Sequence, residues 1–177
     1  MLPNVLTLLA FLGAAGTAAA GKLAFPDNLP DGHYVGDGTV DPKTGYARYT
    51  YLGPIDHEAV ANYTARRSDA ASSSVLGKRA TVNCNGRNAG DSVSTVISGF
   101  ASFWDNKQFS GKWAKTTAGS SQAYACNYGG TQTIHAGDFN PNMGSVNSVC
   151  GSGNAGWYEH PEWKLNYGRD QINSGIC

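Results

Sequence analysis

The chain has 177 residues, and its thirteen basic and thirteen acidic side chains leave a formal net charge of +0 at pH 7. Such a balance supplies no positive field to steer the protein towards nucleic acid or an anionic membrane. Hydrophobic residues make up 41% of the chain, yet no stretch beyond its first residues is apolar enough to cross a bilayer.

The N-terminus reads MLPNVLTLLAFLGAAGTAAAG. An apolar run from Val5 to Ala15 precedes small residues, and Ala18 to Ala20 offer an A-x-A-type cleavage site, so residues 1–20 are expected to be a secretory signal. The run is about a dozen residues long, too short for a helix to span the roughly 30 Å hydrocarbon layer. The expected location is extracellular.

Composition then changes along the chain. All four cysteines and all four tryptophans lie after Arg79. The earlier part has a hairpin-like passage, HYVGDG and YARYTYLG, joined through DPKTG, where Pro42 and Gly45 supply turn chemistry. From Thr64 onward TARRSDAASSSVLGKR is poor in bulky apolar residues, and burial there does not offset the entropy of ordering. An accessible stretch of that kind suits a protease, and Lys78-Arg79 at its end reads as the processing site of a secretory-pathway protease, with Arg66-Arg67 as a second basic pair. Residues 21–79 are thus expected to be a pro-segment, and residues 80–177 the mature domain. The sequon Asn62-Tyr63-Thr64 makes Asn62 a glycosylation candidate within that pro-segment.

Four cysteines in an exported domain imply two disulfides, with three connectivities open. Cys84, Cys126, Cys150 and Cys177 lack the close C-x-x-C pairing of zinc sites, so no metal is expected. ATVNC alternates as a strand does. Val93, Val96, Ile97, Phe100, Phe103 and Trp104 predict a helix over 91–106 with Asp91 as N-cap. KWAKTT and QAYACNY predict a hairpin that TQTIHA extends. Asn140-Pro141 predicts the start of a second helix through Met143, Val146 and Cys150, ending at Gly151, and KLNYG a last strand. The fold class expected is α+β: an antiparallel sheet with two helices on one face, stapled by two disulfides.

VNCNG at 82–86, AKTTAGSSQAY at 114–124, VCGSGNAGW at 149–157 and KLNYG at 164–168, closed by Cys177, resemble in order the killer toxin of smut fungi, the KP-four type, and its fungal relatives. The resemblance implies a small α/β sandwich of the split βαβ kind and pairing of Cys84 with Cys150 and of Cys126 with Cys177. It implies a protein acting from outside its target cell without a cofactor, the type toxin interfering with calcium uptake. It also implies a role for a strand lysine, here Lys115, beside Lys112 and Trp113. Necrosis-inducing secreted effectors share the cysteine layout and remain an alternative.

WYEHPEW at 157–163 is the densest cluster of polar and aromatic side chains. Trp157, Tyr158 and Trp163 form an aromatic patch suited to a protein or glycan partner, one tryptophan expected buried and one exposed. Glu159, His160 and Glu162 could instead serve acid–base chemistry, as in small secreted ribonucleases, although no strand motif of those enzymes surrounds His135. The chain is therefore expected to be a monomeric secreted protein that binds a target-cell surface protein or channel, or a host protein, through Lys112, Trp113, Lys115, Trp157, Tyr158, His160 and Trp163.

Overall fold

The computed structural model describes residues 23–68 and 80–177. The expected signal at 1–20 and the expected processing pair Lys78-Arg79 lie outside the described residues. In chain order the elements are β1 (Gly32–Gly36), β2 (Thr50–Gly53), α1 (His57–Ser68), β3 (Thr81–Asn88), α2 (Val93–Trp104), β4 (Lys107–Phe109), β5 (Trp113–Ala118), β6 (Ser121–Asn127), β7 (Gln132–Ile134), α3 (Ala136–Cys150), β8 (Asn154–His160) and β9 (Leu165–Gln171). Seven strands form one antiparallel sheet in the order β2-β1-β5-β6-β9-β8-β3, and β4 pairs with β7 in a second, two-stranded one. The α+β class and the two disulfides agree with the sequence, and the cysteines pair Cys84 with Cys150 and Cys126 with Cys177.

Several local expectations need correcting. TQTIHA does not extend the main sheet, because β7 pairs with β4. The helix after β3 starts at Val93, not Asp91, with Ser92 at its cap. The Asp91 carboxylate is occupied elsewhere, accepting hydrogen bonds from the Ser120 amide at 3.1 Å and hydroxyl at 2.8 Å in the β5–β6 turn. The last helix begins at Ala136 rather than Asn140, so Pro141 lies inside it. Asp105, remote in sequence, accepts the Ala136 N–H at 2.8 Å and starts the helix early. Gly151 ends it at φ 92°, its amide donating to Asn147 O.

There are three described helices, not two. Residues 64–68, expected to stay extended, are the last turns of α1, which packs on α2 through Val60 and Tyr63. Arg66 and Arg67 belong to that helix. Asn62 is exposed on it, as a modified asparagine must be.

Both faces of the sheet are covered at its centre. On one, Phe100, Trp104, Phe139, Met143 and Val146 from α2 and α3 pack against Ala114, Ala123, Ala125, Tyr158 and Tyr167. On the other, Trp113, Tyr124 and Cys126 are covered by Leu23, Phe25 and Leu29 from the segment before β1 and by Ile172 and Ile176 from the segment after β9. Every residue of β5 and β6 is consequently buried. An antiparallel sheet covered on one side shows alternation; covered on both, it buries even the residues meant for water.

Candidate functional site

The double covering decides which expected binding residues are accessible. Lys115, Trp113 and Tyr158 are not surface residues: their relative exposures are 0%, 0% and 1%. Trp113 and Lys115 point to the face closed by residues 23–29, where Phe25 packs edge-on against the indole at 5.0 Å. Tyr158 points the other way, under α3. Lys112, Trp157, His160 and Trp163 remain, and the structure groups them into two neighbouring sets.

The first set lies where the cover of the second face ends, beside the Cys126–Cys177 bridge. Trp157 of β8 and Asn166 of β9 line a cleft of about 150 Å³ with Tyr128, just after β6, and the bridge itself. Tyr128 also borders a shallower cleft of about 270 Å³ holding Lys112 and Asp37. The Lys112 ammonium sits 4.6 Å from the Tyr128 ring centroid, a cation–π contact between the two side chains. Burial raises the Tyr128 phenol above its ordinary pKa, the Glu159 charge adds to the rise, and a hydrogen bond with Asn166 opposes it. Glu159 in turn accepts from Asn83 Nδ2 at 3.5 Å. One patch therefore carries a cation, a carboxylate, an amide and two aromatic rings on paired strands.

The second set is the β8–β9 turn. His160 and Trp163 stack face to face, centroids 3.5 Å apart and planes within 5°. The His160 amide donates to Asn166 Oδ1 at 3.3 Å, so Asn166 joins the two sets. Burial lowers the His160 pKa, with the Glu162 and Asp138 charges pulling it back up. Its Nδ1 has no hydrogen-bond partner among the described residues. Of the two tryptophans, Trp157 is partly buried against the second core and Trp163 is 42% exposed.

Glu159 and His160 are consecutive in β8 and project to opposite faces: Glu159 shares a side with Trp157, His160 with Tyr158. The other histidine of this half, His135, sits at the start of α3, its Nδ1 3.0 Å from Asn106 Oδ1. Among the described residues no three His, Cys, Asp or Glu side chains converge on a possible metal position.

Tyr128 and Asn166, which organise the patch, were not legible in the sequence. Each is a lone polar side chain next to a strand end, and only the β6–β9 and β8–β9 pairings bring them together. Comparison with protein-family models, curated proteins and solved structures finds no match.

Proposed function

We propose that this chain is the precursor of a secreted killer-toxin-like or effector protein. It acts by binding a component of a target cell or host, a surface protein or channel, and not by catalysis. What carries the proposal is the Lys112–Tyr128–Trp157–Glu159 patch on a frame braced at that very place by the Cys126–Cys177 bridge. Aromatic rings anchored on rigid strands bury much area at little entropic cost, and flanking charges set specificity. The sequence motifs resembling fungal killer toxins point in the same direction. Secretion agrees with four cysteines paired in two bridges, and no described helix is long and apolar enough to cross a membrane.

The test is growth of fungal cells at micromolar protein, with and without added calcium, using the secreted, processed protein. Inhibition relieved by calcium supports the toxin form; inhibition unaffected by calcium supports a different surface target. Replacing both Tyr128 and Trp157 by alanine is expected to weaken the effect at least tenfold while the disulfides stay formed. No effect on growth removes the toxin form and leaves the host-directed one. The unpartnered His160 Nδ1 supports one rival, a ribonuclease-like enzyme. RNA hydrolysis by the pure protein that is lost in His160→Ala would favour it.

A further inference from the structure

A buried lysine with no carboxylate beside it among the described residues is an expensive feature, and Lys115 is one. Its ammonium lies 3.3 Å from the ring centroid of Phe25, with the Tyr34 and Trp113 rings at 5.9 and 5.8 Å. Its one described hydrogen bond goes to Gln122 Oε1 at 3.3 Å. Gln122 cannot turn away, because its Nε2 donates to Gln171 O at 2.7 Å and Ser174 O at 2.8 Å.

Two of the three rings around Lys115, and the strand beside it, come from residues 23–36. β1 runs antiparallel to β5 with Tyr34 opposite Lys115 and Gly36 opposite Trp113. The fit is specific, since a Cβ at Gly36 would meet the Trp113 indole at 2.3 Å. Yet nothing covalent other than the chain at 69–79 ties this segment to the rest, both bridges lying within 84–177. With residues 23–68 taken away, the strands left are in the order β5-β6-β9-β8-β3 with α2, α3 and both bridges, β5 is an open edge, and the helix-side core gives up Ile55, Val60 and Tyr63.

We propose that the β5 edge and the aromatic cage around Lys115 form a recognition surface for an extended polypeptide strand, and that residues 23–36 are its built-in, displaceable occupant. The partner strand presents an aromatic residue opposite Lys115 and glycine opposite Trp113, and adds to the sheet through its main chain. The occupant explains why a lysine with no described counter-charge is placed here: it is the specificity group of a site that is filled until the segment leaves. This rests on the reading of the chain as a binding protein, and adds a second surface to the one beside Cys126–Cys177.

The test uses the full chain with a site-specific protease sequence placed within 69–79. Acetylation of Lys115 by an amine-reactive reagent is followed by mass spectrometry, with exposed Lys164 as internal reference. In the uncut chain Lys115 is expected to be protected. After cutting and dilution it should react at least tenfold faster while near-UV circular dichroism is retained. Adding the synthetic peptide 23–36 should restore protection, and the Gly36→Val peptide should need at least tenfold more.

Any of three results overturns the proposal: a segment that never separates, a Lys115 that stays protected once it has, or loss of tertiary signal on separation, which would make the segment part of the fold. Equal protection by the Gly36→Val peptide overturns the strand register. No target cell is involved, so a segment that behaves as expected beside an inactive growth assay removes the toxin form alone. An uncut chain already fully active on cells overturns this inference alone.

Discussion

The two faces of the central sheet are closed by different means. The helix-side core is built from α2 and α3, with α1 packed on α2, and within it Phe100 packs against Phe139 at 4.6 Å and Trp104 at 6.1 Å. The opposite core is closed by two short irregular segments, one before β1 and one after β9, and contains Lys115, Gln122 and Thr117 as well as aromatic rings. A face sealed by regular elements gains cooperative stability from their own hydrogen bonds, whereas one sealed by short segments is held by individual side chains and a bridge. The second face should therefore be the one that opens.

The bridges set the largest difference. Cys126–Cys177 closes 51 residues and pins the C-terminal tail on the second face. In the chain-entropy model its removal costs about 4 kcal/mol. Replacing both cysteines by serine should lower the unfolding midpoint in urea accordingly, and Trp113 fluorescence should become accessible to quenchers before the global transition. Quenching that appears only with global unfolding would mean the two faces are equally firm.

Truncation of an aromatic on each face compares them directly. Phe100→Ala should cost about 4 kcal/mol, as expected for a large ring in a core that cannot collapse. Phe25→Ala should cost only about 2 kcal/mol, because the space it leaves admits water to the Lys115 ammonium and relieves its desolvation. Equal losses in denaturant titrations would show that the second face is packed as tightly as the first.

His33 joins the N-terminal strands to the rest on the helix side. It is 2% exposed, stacks on Phe103 at 3.7 Å, and its Nδ1 lies 2.8 Å from Thr116 Oγ1. Burial, aided by the Lys107 charge, lowers its pKa from 6.5 to about 4. The unfolded chain then takes up a proton that the folded one refuses, so stability is full above pH 6.5 and falls as pH drops towards 4. The loss amounts to roughly 3 kcal/mol for this one group. His33→Gln should flatten that part of the stability profile relative to the parent; an unchanged slope would show that other groups carry it.

Much of the 80–177 half was legible in the sequence because its elements announce themselves: the apolar period of α2, the alternating hairpin of β5 and β6, the glycine stop of α3. Starts fixed by tertiary partners were not, as with Asp105 capping α3 from another element. The largest miss concerns coverage. KWAKTT carries a lysine and threonines that read as a solvent face, and only the arrival of Phe25, from a stretch expected to be a pro-segment, turns that face into a core. Sequence patterning reports one element's own faces; it is blind to a cover supplied from ninety residues away. The candidate patch was half visible, in Lys112 and Trp157, while Tyr128 and Asn166 depended on strand register.

The smallest expected effect has the opposite sign. Desolvation pulls the Lys115 pKa well below 10.5. The folded state thus disfavours the proton that the unfolded chain holds at neutral pH, and the parent is penalised there. Lys115→Met keeps most of the volume and the contact with Phe25 while removing the buried ammonium, so it should stabilise the protein by about 1 to 2 kcal/mol at pH 7. The advantage should shrink as pH rises towards 10.5, where the unfolded lysine also loses its proton. A destabilised variant would mean that the cation–π contacts with Phe25, Tyr34 and Trp113 outweigh desolvation, and the second face would then be held by its lysine rather than in spite of it.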